Sequence, residues 1–520
     1  MEVTHRHHFV LSKIVATIGP ASAEVETVVR LIEAGVRVFR INFSHGRLED
    51  FQKLLKGIRK GAARTERYVG ILGDLCGPKI RIGQIVDDGL LLKAGEILRL
   101  HPPTAELPDG FGRPGEVCLS LNRSDVIREV EVGHRVFLDD GLIHLRCVES
   151  QVQGDGLPSI ACEVLNEGRV LSGKGVNLPD TELTMPSLTE WDAECVDFAV
   201  EAGFDFLALS FVRQADDVRA LKDRLRKLGA RPARPVKDRQ AQRGDFSAYG
   251  SESRSFIPVV AKIEKPQAMD RLDEIVDEAD MIMVARGDLG VEMDLAEVPL
   301  CQKQILRTCH HHGKPAIVAT QMLQSMIDNP SPTRAEVTDV ANAVYEGADA
   351  VMLSGETAVG KYPVEAVKYM RRIARHMNDY RLAERLTFEE PTRPRESKYR
   401  IAALAHAVKS LVKDTDAVLI VMWSQLGGGA SYMAQNKLAV PIITLSSNED
   451  ALRRMSILYG VIPRYMEVPE SIGDFVTRVD DYLLAKGWAD RGDPIILVSG
   501  EPIGKEGRTN ILRIHYVGDE

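Results

Sequence analysis

No stretch of this 520-residue chain approaches the roughly 20 consecutive apolar residues that a bilayer-spanning helix needs. The apolar run that starts at Phe9 is broken by Lys13, so the N-terminus does not read as a secretory leader. An excess of positive charge is also missing. Lys and Arg number 66 against 75 Asp and Glu, a formal net charge of -9, so no overall field draws the chain to nucleic acid or an anionic membrane. An anionic substrate has to be met by local positive charge instead. Cysteine is scarce. The seven thiols are scattered from Cys76 to Cys309 with no CxxC pair and no zinc-like spacing, which excludes a disulfide scaffold and fits reduced cysteines in the cytoplasm. What is present is ordinary for a globular protein, with 44% hydrophobic and 27% charged residues, at a length that calls for two to four domains.

The first segment alternates short β-rich runs with helical patterns. Lys13–Gly19 reads as a strand, 22–34 as a helix with Ser22 as N-cap and Gly35 beyond its end, Val36–Ile41 as a strand, 48–60 as a helix and Tyr68–Asp74 as a strand. From about 79 to 177 the chain turns to short alternating strands with many Gly and Pro. Val132–Leu138 and Leu142–Val148 read as a hairpin around Asp139-Asp140-Gly141. The βα alternation resumes at Thr189, with strands at Phe204–Ser210, Ile257–Lys262, Met281–Ala285, Ala316–Thr320 and Ala350–Leu353. Eight consecutive βα units predict a (β/α)8 TIM barrel. The expected domains are residues 1–77 and 179–384 for the barrel, 78–178 for an inserted all-β lid, and 385–520 for a C-terminal α/β domain serving oligomerisation or effector binding. That last domain has strands at Ala417–Met422, Ile442–Leu445 and Ile495–Ser499. Residues 229–256, rich in Arg, Pro, Gly and Ser, read as a surface insertion.

In such a barrel the reactive groups lie at the C-terminal ends of the strands. Strand two ends in Arg40-Ile-Asn42-Phe-Ser44-His45, and strand three in Asp74 followed by Gly77-Pro-Lys79-Ile-Arg81. Strand four ends in Ser210, strand five in Lys262-Ile-Glu264, strand six in Ala285-Arg286-Gly287-Asp288, strand seven in Thr320 and strand eight in Ser354-Gly-Glu356-Thr357. Each piece alone has an ordinary structural reading, since strand-end Lys and Arg often pair with a neighbouring acid. Together they put several cations, two acids and a helix start on one rim, which points to a small, multiply anionic substrate and a divalent metal. Glu264 and Asp288 offer hard carboxylate oxygens suited to Mg²⁺ or Mn²⁺. Lys262, two residues before Glu264, points the same way in an extended strand and can set a point charge on a transferring phosphoryl group. Arg40 and Arg81 can clamp phosphate oxygens. Backbone N–H groups near Gly287 and Asp288 can hold a carboxylate.

Lys13-Ile-Val-Ala-Thr-Ile-Gly-Pro20, Arg40-Ile-Asn-Phe-Ser-His-Gly46, Ala261-Lys-Ile-Glu264, Ala285-Arg-Gly-Asp-Leu-Gly290, Ala319-Thr-Gln-Met-Leu323, Pro332-Thr-Arg-Ala-Glu336 and Val351-Met-Leu-Ser-Gly-Glu-Thr357 closely resemble the pyruvate kinase family. They match in order and spacing across roughly residues 10–385. The resemblance implies phosphoryl transfer between phosphoenolpyruvate and ADP, the final step of glycolysis, in a cytoplasmic, Mg²⁺-dependent homotetramer. It implies that Lys262 stabilises the phosphoryl group in flight and that Glu264 and Asp288 hold the metal. Arg40, Lys262, Ser210, Thr320 and the segment Ala285, Arg286, Gly287 and Asp288 would line the substrate. Thr320 would stand beside the enolate carbon, and Asn42, His45 and Arg81 would face the nucleotide. The lid would close over the site.

Many family members hold K⁺ with groups matching Asn42, Ser44, Asp74 and the backbone of Leu75, and carry Glu and Thr where this chain has Lys79 and Leu75. Leu75, Lys79 and Ile82 match the K⁺-independent branch instead, so the resemblance implies that a tethered ammonium replaces K⁺. The C-terminal segment Trp423-Ser-Gln-Leu-Gly-Gly-Gly-Ala-Ser431 lacks the Arg and Lys of sugar-bisphosphate-regulated members. Trp191 stands where relatives commonly carry Lys. Two rival readings stay open on sequence alone, a Mg²⁺-dependent oxoacid lyase or aldolase on the same barrel and an inactive scaffold paralogue.

Overall fold

The computed structural model describes residues 9–85, 89–108, 111–113, 116–151, 157–230, 257–384, 386, 388–392, 400–505 and 508–519. Most of the expected insertion, residues 231–256, lies outside them.

Eight parallel strands close into a barrel: Lys13–Thr17, Val36–Asn42, Gly70–Asp74, Phe206–Leu209, Val259–Ile263, Met281–Ala285, Ala316–Ala319 and Ala350–Leu353. Strand one pairs with strand eight, Lys13 opposite Ala350, and this closes the ring. Period-two alternation sorts the side chains. Phe39, Ile41, Leu207, Val259, Ala261 and Val284 pack outward under the helices. Val38, Leu72, Phe206, Val260, Met283 and Ile317 fill the lumen. The inward positions two residues further along strands two, three and five are Arg40, Asp74 and Lys262. A polar layer therefore caps the apolar lumen at the C-terminal rim.

The expected helix at 22–34 begins later, at Val25, with Glu24 as the residue before its first turn. Ser22 does not cap it. Its hydroxyl accepts from Gly19 N–H at 3.1 Å and shapes the turn before the helix. Gly35, at φ 137°, ends the helix where the chain must reverse into strand two.

Between strands three and four, 78–178 form two antiparallel-rich sheets. A six-stranded one includes the hairpin Arg135–Leu138 with Ile143–Gln151, and a pair joins Leu90–Leu92 to Gly168–Val170. Asp139, Asp140 and Gly141 all take positive φ, which makes the hairpin loop tight. Ile80, Ile82, Leu98, Val136, Leu145 and Ile160 build a core separate from the barrel's.

The C-terminal unit is a five-stranded sheet in the order Val461–Tyr465, Ile442–Ser446, Leu419–Trp423, Pro494–Ser499 and Ile511–Tyr516, the last antiparallel. The first and last of these were not expected from sequence. Val461–Tyr465 contains Pro463, tolerable because the strand is an edge, and Ile511–Tyr516 alternates with Arg513 and His515 too briefly to stand out.

This unit seals the lumen's apolar end. Ser456 accepts from Gly70 N–H at 3.1 Å and donates to Arg37 O at 3.0 Å. Asp205, 3% exposed, accepts from Arg59 at 2.7 Å, from Ile71 N–H at 2.8 Å and from Arg453 of the C-terminal unit at 3.0 Å. Asp349 likewise takes Lys437 at 2.6 Å and Gln435 at 2.9 Å. Breaking one side of such a buried pair strands a charge in a dry interface. Asp205→Ala is expected to cost about 3–5 kcal/mol and to lower the thermal midpoint measured by calorimetry, whereas Arg64→Ala, an exposed pair with Glu26, should cost less than about 1 kcal/mol.

Candidate active site

The polar layer forms one connected cluster at the C-terminal rim. Lys262 leaves strand five only 8% exposed. Its Nζ lies 2.7 Å from Glu264 Oε1 and 3.3 Å from Asp74 Oδ1, and it donates to Ser210 Oγ at 2.8 Å. Asp74 Oδ2 takes Arg40 Nε at 2.6 Å, and Arg40 Nη1 reaches Thr17 Oγ1 at 3.1 Å. Glu264 Oε2 accepts from Phe211 N–H at 2.7 Å. Strands one to five thus supply one net of alternating charge.

The electrostatics follow from that net. Burial alone would lower the Lys262 ammonium, but Asp74, Glu264 and Asp288 outweigh it and raise its pKa above the ordinary lysine value. Burial would raise Asp74, and the Lys262 and Arg40 charges reverse this and hold it below the usual carboxylate range. Glu264 ends raised. Its burial, with the nearby Asp288 charge, outweighs what Lys262 returns. Two carboxylates that repel each other in a buried site fit a divalent cation. Two hard protein donors leave positions for substrate oxygens, the mode Mg²⁺ favours, and each Glu264 oxygen has only one protein partner in the hydrogen bonds and ion pairs above. Among the described residues no group of three or more metal-type side chains exists.

Strand six runs into the helix Arg286–Glu292, and Thr320 stands beside its start. Gly287 N–H donates to Thr320 Oγ1 at 2.7 Å, and that hydroxyl donates to Ala319 O at 2.7 Å. Thr320 and Gln321 take φ of 66° and 54°, a conformation non-glycine residues adopt at a cost. Arg286 holds this turn. Its guanidinium reaches Thr320 O at 2.8 Å, Ala319 O at 3.3 Å and Asp339 at 2.6 Å. Ala285 is buried and opens the helix. Fully buried Glu356 pins the far side, accepting from Leu323 N–H at 3.0 Å and Ser354 N–H at 2.7 Å.

Three of the four groups expected around a monovalent cation already have protein partners. Asn42 Oδ1 accepts from Ser44 N–H at 3.1 Å, Leu75 O from Ser210 Oγ at 2.7 Å, and Asp74 holds its two cations. Lys79 stands at the lid hinge and not against Asp74. Its Nζ and Asp140 Oδ1 lie 3.9 and 3.5 Å from where a Cβ on Gly175 would sit. Arg81 Nη1 donates to Gly173 O at 2.8 Å. His45, exposed at the rim, has its pKa lowered by partial burial and then by Arg81, Lys79 and Arg40, which keeps it neutral at pH 7 in a cationic neighbourhood.

Asp192 escaped the sequence reading. It is fully buried, and its carboxylate accepts from Cys76 N–H at 2.8 Å, Gly77 N–H at 3.1 Å, Thr189 N–H at 3.0 Å and Thr189 Oγ1 at 2.7 Å. One carboxylate therefore ties the outgoing lid hinge to the helix that follows the lid. The capping pattern Thr189-x-x-Asp192 was visible, but the hinge amides arrive from 115 residues away.

Fold and rim together define a lidded barrel enzyme with a buried cationic cluster and a pair of metal-type carboxylates. The family model "Pyruvate kinase, barrel domain" matches residues 10–236 and 246–367, and "Pyruvate kinase, alpha/beta domain" matches 402–515. The chain is 37% identical over 508 residues to the pyruvate kinase of Mycobacterium intracellulare, covering 98% of both chains. It is 37% identical over 509 residues to that of Corynebacterium glutamicum, again 98% of both. With that of Geobacillus stearothermophilus the figures are 37% over 509 residues, 98% of this chain and 80% of the relative. The chain belongs to the pyruvate kinase family.

Asp74→Asn removes the acid between Lys262 and Arg40. The Lys262 pKa should then fall, moving the alkaline limb of the pH–turnover profile to lower pH. Asp74 stabilises the fold above its unfolded pKa, about 3.9, and this is lost as pH falls through its lower folded value. At neutral pH the variant should also unfold at lower denaturant. An unmoved alkaline limb would show that Asp74 does not set the Lys262 charge.

Proposed function

We propose that this chain transfers the phosphoryl group of phosphoenolpyruvate to ADP, giving pyruvate and ATP. The observation that carries the reading is the Lys262 ammonium, fixed by Asp74, Glu264 and Ser210 with Arg40 on the same Asp74. Phosphoryl transfer asks little covalent chemistry of a protein and much positioned charge. Lys262 offsets the charge on the phosphoryl oxygens in flight. Arg40, oriented by Asp74 and Thr17, holds a phosphate oxygen from the side. Arg81 and His45 face the nucleotide from the lid and the rim, and the lid excludes water. Glu264 and Asp288 would hold Mg²⁺ or Mn²⁺, which when bound supplies positive charge to substrate oxygens. Thr320 sits against Gly287 on a turn braced by Arg286 and Glu356, and orders a water that relays a proton from solvent to the enolate carbon.

K⁺ is dispensable in this reading. Asp74 has two side-chain cations, the oxygens of Asn42 and Leu75 have protein donors, and Lys79 adds positive charge at the hinge. The barrel 1–77 with 179–384, the lid 78–178 and the C-terminal domain 385–520 act as catalytic body, cover and assembly unit. Seven unpaired cysteines suit a cytoplasmic setting, and exposed Leu295 and Leu300, at 71% and 65%, suit burial in a homotetramer.

Lys262→Met should lower kcat by about 10³-fold, roughly 4 kcal/mol, while phosphoenolpyruvate still binds with Mg²⁺. Turnover within tenfold of the parent would remove Lys262 from its assigned role. Lys79→Glu should make pyruvate formation rise with added K⁺ in Na⁺-balanced buffer, and a K⁺-indifferent variant would contradict the part given to Lys79.

A further inference from the structure

A buried ion pair beside the rim has no part in the chemistry above. Lys265 and Glu292 are 6% and 2% exposed, and Lys265 Nζ lies 2.6 Å from Glu292 Oε1. The pair bridges two segments that each carry one of the metal-type carboxylates. Lys265 directly follows Glu264. Glu292 stands one turn beyond Asp288 on the helix Arg286–Glu292, at the i+4 position that shares its face. Phe211 sits between this pair and the outgoing lid hinge. Its ring lies 6.0 Å from Lys265 Nζ, its N–H donates to Glu264 Oε2 at 2.7 Å, and a Cβ on hinge residue Gly77 would meet the ring at 2.6 Å.

The same carboxylate is held from the lid. Asn177, in the lid's last strand Val176–Asn177, donates from Nδ2 to Glu292 Oε1 at 2.7 Å. A carboxylate has no proton to give, so the NH₂ side of the amide has to face it. Glu292 Oε1 therefore takes both donors, while Oε2 is buried with no hydrogen-bond partner among the described residues. The carboxylate is turned toward Lys265 and the lid, and its other oxygen stays unbonded. A second lid contact falls on the neighbouring residue of this helix. A Cβ on Gly141, in the hairpin loop, would sit 3.4 Å from Val291. Asp192 clamps the chain where it enters the lid, and Glu292 clamps it where it leaves.

We propose that Glu292 is a positioning residue that sets where the lid rests over the rim. Through Asn177 it fixes the return hinge, and through Lys265 it fixes the spacing of the segments that bear Glu264 and Asp288. Lid position and carboxylate spacing are then one mechanical unit, joined at a single buried oxygen. The effect on turnover rests on the phosphoryl transfer proposed above, whereas the latch itself does not.

The test compares Asn177→Ala with Asn177→Asp in the full chain at neutral pH, by hydrogen–deuterium exchange without substrates and by steady-state turnover. Asn177 is half-buried, so neither change opens the core. N177A removes the donor, and N177D sets a second carboxylate against Glu292. N177A should raise exchange over 135–141 and 174–178 about tenfold, as for the loss of one hydrogen bond to a charged group, with the strand Ile442–Ser446 unchanged. N177D, though closer in shape to the parent, should raise exchange further and lower kcat more than N177A does, by about a hundredfold against the parent. With Lys265→Met and Glu292→Met combined, no charge is left to repel, and N177D and N177A should exchange alike. Should that doubly substituted chain fold poorly, the comparison in the parent decides alone. N177D no worse than N177A in exchange, a difference between them that survives without Lys265 and Glu292, or a looser lid with parental kcat would each overturn the proposal. If the parent itself makes no pyruvate, the reaction assigned above fails, and the exchange comparison still decides the latch.

Discussion

A lysine ammonium placed 8% exposed at the mouth of a barrel either finds counter-charge or gives up its proton. Lys262 keeps its charge because Asp74 and Glu264 lie within 3.3 Å on neighbouring inward positions. Those acids in turn are tolerable only because Arg40, Phe211 N–H and Ser210 complete the net. Removing any one partner leaves an uncompensated buried charge, so the geometry of the rim is over-determined. The same net is pre-organised for chemistry. Its cations are largely buried at the rim, where positioned charge acts more strongly than in water.

This net needs a dry, rigid floor. The lumen beneath it is filled by Val38, Leu72, Phe206, Val260 and Met283, and the C-terminal unit seals the end through Ser456, Arg453 and Lys437. At the other end the Thr320 turn holds two left-handed residues by means of Arg286 and Glu356, and Asp192 fixes the lid's hinge to a helix cap. Glu356 bonds only backbone amides, and Arg286 and Asp192 combine backbone partners with side-chain ones, which gives direction as well as energy.

The barrel was legible in sequence because eight strand-length apolar runs alternate with helical patterns, and because the same side of each run ends in a polar residue. Arg40, Asp74, Lys262 and Glu264 were legible as polar residues at the ends of expected barrel strands, and the structure brings them within one network. What stayed hidden depends on long-range geometry. The partners of Arg286, carbonyl and carboxylate oxygens of strand seven and the next helix, could not be read from sequence. Lys79 was expected near Asp74, and the hinge turns it toward Gly175 and Asp140. Asp192, third residue of the helix capped by Thr189, is also a hinge clamp, and its hinge partners lie far away in sequence. The strands Val461–Tyr465 and Ile511–Tyr516 were missed because a proline and alternating polar residues mask edge strands.

The central claim is that side-chain cations, with the divalent metal, complete the charge of a phosphoryl-transfer site without K⁺. The most direct measurement is pyruvate formation from phosphoenolpyruvate and ADP with Mg²⁺ in Na⁺-balanced buffer free of K⁺, repeated with K⁺ added. The account predicts ADP-dependent turnover at the same rate in both. Turnover that appears only with K⁺ would contradict the claim that the cations suffice, and no ADP-dependent pyruvate in either buffer would contradict the reaction itself.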